Sequence, residues 1–238
     1  MRPRVGTAGW AIPKAEADRF PTSGSGLERY AAQFDAVEIN STFYRSHRPG
    51  TYARWAETTP AHFRFAVKLP RTITHEARLV RAAPLIAAFR AEAVQLGEKL
   101  GPLLVQLPPS LPFDTEVAEH FFRDLQDHWP QSIVCEPRHP SWFEAGADAL
   151  LYTHHIGRVG ADPPPHRAGA APGGWTGLRY WRMHGSPRRY FSPYGDDALR
   201  ALARDVRAAG EEPWCIFDNT ASGAAAANAL HLQAMLSS

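Results

Sequence analysis

Cysteine is scarce in this chain. Only Cys135 and Cys215 occur among 238 residues, each within an apolar run, which argues against a disulfide-stapled scaffold and fits a reducing compartment. Both read as small core residues rather than nucleophiles. Excess charge is also lacking: the formal net charge is +2, too mild for bulk electrostatic attraction to nucleic acid, so any anion site must gather positive charge locally. No apolar run approaches the length of a membrane span, and Met1-Arg2-Pro3-Arg4 leads into Val5 without an apolar leader. A cytoplasmic protein with no membrane partner is expected. The metal-ligand spacing His-Glu-x-x-His is missing, and Gly6-Thr7-Ala8-Gly9-Trp10 lacks the third glycine of a dinucleotide-binding turn.

What the chain does contain is an alternation. With 44% hydrophobic and 21% charged residues it can bury a large core. Short apolar runs predict strands at Arg4–Ala8, Ala36–Asn40, Arg64–Lys68, Leu103–Leu107, Ile133–Glu136, Ile156–Gly160, Tyr180–His184 and Cys215–Asp218. Helical periodicity lies between them: Leu85, Ile86, Phe89, Ala93 and Leu96 with Gly101 as a stop, Val117, Phe121, Phe122 and Leu125, and Asp197 to Ala209 ending at Gly210. Strands alternating with helices make a parallel α/β protein, and eight such units close into a single (β/α)8 TIM-like barrel domain over residues 1–238. The sixth unit is the exception. Asp162 to Gly174 is too rich in proline and glycine for a helix, and a long, mobile, irregular excursion is expected there.

Most strands end on a polar residue, and in a parallel barrel the C-terminal mouth is where sites are built. Residues two apart share a strand face, so Glu38 with Asn40, Glu136 with Arg138, and Arg182 with His184 can look into one mouth beside Lys68 and Gln106. Taken singly, each is as readily a solvated or ion-paired strand end. Glu38, Lys68, Glu136 and His184 are the candidate catalytic residues, with Glu38 or Glu136 as acid/base and His184 as partner. Asn40, Tyr44, His75, Gln106, Arg138, Trp142, Arg182, Tyr190, Tyr194 and Asn219 are candidate substrate contacts. The excess of Lys68, Arg138 and Arg182 points to an anionic ligand. Gly185-Ser186-Pro187-Arg188-Arg189-Tyr190 and Asn219-Thr220-Ala221-Ser222-Gly223 stand where barrels often cradle phosphate, or where a helix is simply capped. Asp218 and Asn219 lie on opposite strand faces, so one of them faces the pocket. A divalent metal on Glu38, His75, Glu136, His184 and Asp218 is disfavoured by the neighbouring Lys68 and Arg138. The aromatics Trp10, Tyr44, Trp142, Tyr190 and Tyr194 either stack a sugar or base or pack loop roots on the rim.

Several stretches together resemble the domain-of-unknown-function family DUF72, also called YecE-like proteins: Gly6-Thr7-Ala8-Gly9-Trp10, Glu38-Ile39-Asn40-Ser41-Thr42-Phe43-Tyr44-Arg45, Phe65-Ala66-Val67-Lys68-Leu69-Pro70, Ile73-Thr74-His75, Gln106-Leu107-Pro108-Pro109, Glu136-Pro137-Arg138-His139 and Arg182-Met183-His184-Gly185. The resemblance implies a TIM-like barrel with its site at these positions and names no activity. Asp218-Asn219 departs from the Asn-Asn common in relatives, and Ala11-Ile12-Pro13-Lys14 replaces their aromatic segment. The leading expectation is an enzyme working by acid/base chemistry on a small anionic, phosphorylated or nucleotide-like substrate, in the manner of a hydrolase or phosphoesterase. A metal-dependent phosphodiesterase or endonuclease is the second. A non-catalytic single-stranded nucleic-acid binder using Arg188, Arg189 and the rim aromatics is the third. The sequence sets no oligomeric state.

Overall fold

The computed structural model describes residues 2–210 and 212–237. Its strands are β1 (Arg4–Thr7), β2 (Ala36–Ile39), β3 (Arg64–Lys68), β4 (Leu100–Gln106), β5 (Ile133–Glu136), β6 (Ile156–Arg158), β7 (Gly160–Asp162), β8 (Gly173–Gly174), β9 (Tyr180–Met183) and β10 (Trp214–Phe217). The helices are α1 (Gly26–Ala31), α2 (Pro49–Glu57), α3 (Ala83–Ala93), α4 (Thr115–His128), α5 (Ala145–Thr153), α6 (Asp196–Arg207) and α7 (Ala224–Ser237). Hydrogen bonding orders the strands β1-β10-β9-β7 and β2-β3-β4-β5-β6-β8, all parallel except the short β8 against β6. The two sheets join at both ends. Ala8 bridges Glu38 in parallel between β1 and β2, and β6 continues through Val159 into β7, so the sixth predicted strand pairs first with β5 and then with β9. The result is the expected TIM-like barrel.

Alternation along each strand sorts the core into two. Val37, Ile39, Phe65, Val67, Leu103, Val105, Ile133, Cys135, Trp181, Met183, Cys215 and Phe217 belong to the large core that includes the helix side chains. Ala36, Ala66, Leu104, Val134, Tyr180, Trp214 and Ile216 form a separate cluster inside the barrel. Two residues further along the inward face of these strands come Glu38, Lys68, Gln106, Glu136, Arg182 and Asp218, all buried, as the top of the interior. The cysteines therefore face the helices, and burial pushes both thiols up.

The helices follow the sequence periodicity with corrections. In α3, Ile86, Phe89 and Ala93 are buried but Leu85 is 40% exposed. The chain turns not at Gly101, which lies inside β4, but at Gly97, whose φ of 57° breaks the 3-10 turn Val94–Lys99. Asp114 caps α4, its Oδ1 accepting from Val117 N at 3.0 Å, and α6 buries Leu199, Leu202, Ala203 and Val206. The sixth unit has no α-helix among its described residues. It is nevertheless tied down: Arg158 donates to Asp148 Oδ1 at 2.9 Å and to Ala168 O at 2.8 Å, and Gly174 N donates to Asp148 Oδ1 at 3.1 Å.

Barrel closure leaves no room beside β1. A Cβ added at Gly6 would sit 2.1 Å from the Ala36 carbonyl oxygen, a backbone atom of β2. Gly6→Ala is therefore expected to cost about 3 kcal/mol, the upper end for overpacking, read as a lowered midpoint of urea unfolding. An unchanged midpoint would contradict this β1–β2 approach.

Candidate functional site

The site begins with one buried cation. Arg182, with 0% exposure, sits one residue short of the tip of β9 and points inward. Its Nε donates to Glu38 Oε2 at 3.0 Å, Nη1 to Glu136 Oε2 at 2.6 Å, and Nη2 to both Glu38 Oε1 at 2.7 Å and Asp218 Oδ2 at 3.0 Å. Tyr180 donates to Glu38 Oε2 at 2.9 Å from below. Burial opposes the arginine's charge, but Glu38, Glu136 and Asp218 outweigh it and raise its pKa well above the ordinary value. The same contacts act in reverse on the acids. Against burial, Arg182 and His184, with Arg138, hold Glu136 well below the usual carboxylate range, and Arg182 and His184 hold Asp218 down.

His184 bridges two of these acids, Nδ1 facing Asp218 Oδ2 at 3.0 Å and Nε2 facing Glu136 Oε1 at 3.1 Å. Arg138 lies above and donates from Nη2 to Glu136 Oε1 at 3.1 Å. Two of the three predicted pairs thus meet in one cluster, Glu136 with Arg138 and Arg182 with His184, whereas Glu38 joins Arg182 below and Asn40 turns to Lys68.

Lys68 is buried beside this cluster but outside its ion pairs. Nζ donates to Asn40 Oδ1 at 3.0 Å and lies 4.0 Å from the Phe43 ring centroid. The segment after β2 explains the placement. Thr42 Oγ1 donates to Ile39 O at 2.9 Å and to Lys68 O at 2.6 Å, stapling the tips of β2 and β3 so that Phe43 underlies the amine and Tyr44 is left 70% exposed at the rim. Burial, then repulsion from Arg182, pushes the Lys68 pKa down to about 8 in spite of Glu38, Glu136 and Asp218. After β3 the π-helical turn Thr72–Glu76 carries His75, whose pKa burial and then Lys68, Arg138 and Arg71 hold down.

Above these groups opens a cavity of about 550 Å³ lined by Asn40, Phe43, Tyr44, Lys68, Arg71, His75, Gln106, Arg138, Tyr190, Phe191, Asp218, Thr220 and Ala221. Its lining sets three cations, Lys68, Arg71 and Arg138, against one carboxylate, Asp218. Asn40, Tyr44, Lys68, His75, Gln106, Arg138 and Tyr190 therefore come together as expected from the sequence. Glu38, Glu136, Arg182 and His184 do not line the cavity, because their polar atoms are spent on one another and on Tyr180, Arg138 and Asp218. Trp142 is not at the mouth. It is buried between Phe113 and Phe122, with Nε1 donating to Leu111 O at 3.0 Å. Tyr194 sits behind the wall, donating to Asp162 Oδ1 at 2.8 Å, and Asn219 ties loops together through Ser192 O and Asn228 Oδ1, both at 3.0 Å. Between Asp218 and Asn219, it is Asp218 that faces the pocket.

The loops after β9 and β10 form one wall. Two amides that could have met a phosphate are already taken, Ala221 N by Tyr190 O and Gly223 N by Thr220 O, each at 3.0 Å. Arg71 and Phe191 also line the cavity without having been singled out, Phe43 was named only within a family stretch, and Thr220 and Ala221 only within the candidate phosphate loop; the position of Arg71 after β3 was the available signal. Among the described residues no group of three or more His, Cys, Asp or Glu is placed to hold a metal ion. The three carboxylates that could have formed one already enclose the Arg182 guanidinium, so this donor set does not fit a divalent ion.

The model of the family described as "Protein of unknown function DUF72" matches residues 4–238. The chain belongs to the DUF72 family. The UPF0759 protein YecE of Escherichia coli (strain K12) is 32% identical over 171 residues, 69% of this DUF72 chain and 60% of that protein. The matched region thus spans less than two thirds of that relative's length. A DUF72 family protein from Thermotoga maritima MSB8 has the same fold, with a TM-score of 0.82 and 26% identity over 100% of both chains. A sugar phosphate isomerase/epimerase from Parabacteroides distasonis ATCC 8503 shares the barrel alone, with a TM-score of 0.56 and 10% identity over 99% of this chain and 96% of that one. No helix among the described residues is long and apolar enough to cross a membrane.

Removing Arg182 would leave three buried carboxylates facing one another. Arg182→Met is expected to lose about 3–5 kcal/mol of unfolding free energy by urea titration, whereas Arg138→Met, above the cluster and partly exposed, loses less than half as much. Equal losses would mean that Arg182 is not the centre of the charge network.

Proposed function

We propose that this DUF72 chain is an enzyme that binds a small phosphorylated substrate in the mouth cavity and works on it by proton transfer. The observation that carries the reading is the imbalance of the lining: Lys68, Arg71 and Arg138 face one carboxylate, while the deeper charges are already paired. Arg138 and Lys68 supply the anion contacts, and Arg71 stands at the exposed edge with Glu76 Oε1 3.2 Å away. Lys68, with its pKa near 8, is the group at the cavity surface able to exchange a proton near neutrality, while Asp218 beside it is held as a carboxylate. Glu38, first expected as acid or base, becomes with Glu136, Arg182 and His184 the set that positions them. The barrel shared with a sugar phosphate isomerase/epimerase is consistent with proton-transfer chemistry as analogy of fold. A metal-dependent phosphodiesterase has less support, since Arg182 occupies the centre of the acidic groups. Single-strand binding has less support too. Trp142 and Tyr194 are buried, Arg188 lies over the Phe191 ring and Arg189 donates to Pro163 O, which leaves few rim aromatics free to stack bases.

Calorimetry with inorganic phosphate and a panel of phosphorylated sugars tests the reading. Binding to the wild type is expected to weaken at least about tenfold, ~1.4 kcal/mol, in Arg138→Ala and in Lys68→Ala. No binding by the wild type at millimolar ligand would refute it. The pH dependence has a fixed sign. A lysine with a lowered pKa is charged below about pH 8 and neutral above, so affinity for sulfate, whose own charge is constant, falls as pH rises from 7 to 9. The facing Glu136 and Asp218 stay ionised and Arg182 and Arg138 stay charged across that range, and His75, held low, is already neutral. A flat profile would show that Lys68 does not contact the anion.

A further inference from the structure

We infer that Lys68 is a nucleophile that forms a Schiff base with an aldehyde or ketone carbon of the phosphorylated substrate. The inference rests on the reading above and names the reacting group of that substrate. An amine attacks a carbonyl only when it is neutral, unpaired and next to space. The carboxylates that would pin Lys68 as an ammonium are each bridged to Arg182 instead: Glu38 at 2.7 Å, Glu136 at 2.6 Å and Asp218 at 3.0 Å. That leaves the amine its bond to Asn40 and the face of Phe43, with the cavity beyond. Residue usage sharpens the point. Of the 26 Lys and Arg only Lys14, Lys68 and Lys99 are lysines, so this chain uses arginine for nearly all its cations and places a lysine in the lining of the mouth cavity. Arginine would bind an anion there as well or better; only lysine can give up its proton and form a carbon–nitrogen double bond. The pKa near 8 supports the geometry, since at pH 7.5 roughly a quarter of such an amine is neutral, against roughly a thousandth of a free lysine.

The step balances. Nζ adds to the carbonyl carbon and one of its hydrogens passes to the former carbonyl oxygen, giving a carbinolamine. A second proton, taken from the solvent that fills the cavity, converts the hydroxyl to water. The carbon–oxygen bond breaks, water leaves, and the nitrogen keeps one hydrogen as the iminium. The adduct then acidifies the neighbouring C–H, which is the chemistry a proton-transfer enzyme on a sugar phosphate needs.

Borohydride trapping decides the matter. Full-length protein is incubated with dihydroxyacetone phosphate or glyceraldehyde 3-phosphate, reduced with sodium borohydride, and read by intact mass and peptide mapping, with calorimetry of the same ligands run in parallel. The expected result is a single reduced adduct on Lys68, lowered at least tenfold by excess inorganic phosphate, absent in Lys68→Arg and retained in Lys14→Arg and Lys99→Arg. Binding by calorimetry without an adduct overturns the Schiff base and leaves the anion-binding reading standing. An adduct that persists in Lys68→Arg also overturns it. Absence of binding by phosphate and by both sugar phosphates defeats the reading of function itself and the inference with it.

Discussion

Everything at the mouth of this barrel depends on how a guanidinium satisfies three carboxylates out of water. Burying one ion costs several kcal/mol unless its partners saturate it with good geometry. Arginine can do so because its planar fork offers five donors in fixed directions, enough to serve Glu38 with two of its nitrogens and still reach Glu136 and Asp218. Those acids come from β2, β5 and the end of β10, so one side chain on β9 holds together strands that are not neighbours. The cluster is also selective in what it leaves over. Buried beside the Arg182 charge while the acids are committed to that arginine, Lys68 becomes a titratable group rather than a strongly basic one.

Much of the architecture was legible because a half-polar, half-apolar strand writes its facing into a period of two. Val37 and Ile39 against Ala36 and Glu38, or Cys215 and Phe217 against Ile216 and Asp218, already state which residues look inward. That rule also contained the choice between Asp218 and Asn219. Trp214 and Ile216 are inward, so Asp218 is inward and Asn219 belongs to the loop network. Gly97 and Gly101 were harder to separate, since a turn and a close approach both call for glycine, and Trp214 rather than a helix end is what crowds Gly101.

Depth and mutual neutralisation were not legible. Glu38, Lys68, Glu136 and Arg182 look equivalent as polar strand ends, yet Glu38, Glu136 and Arg182 are buried in one another's charge while Lys68 is left to border the cavity. Loop aromatics carry even less information. Tyr44 and Trp142 both follow strand tips, but a tryptophan flanked by Phe113 and Phe122 gains more from burial than from exposure. Composition signals an aromatic; only its three-dimensional neighbours assign it to a wall, a core or a rim.

The wall between β9 and β10 has a last implication. Tyr190, at φ 69°, is held by its amide to His184 O at 2.5 Å and by its carbonyl to Ala221 N, while Ser222 Oγ fastens to Phe191 O at 2.5 Å and Asn219 to Ser192 O. Two loops laced together at so many points behave as one panel rather than as a pair of flaps. The chamber's lining also takes in the uncovered ring of Tyr44 and the half-exposed guanidinium of Arg71, so its most accessible cation is not the buried amine of Lys68.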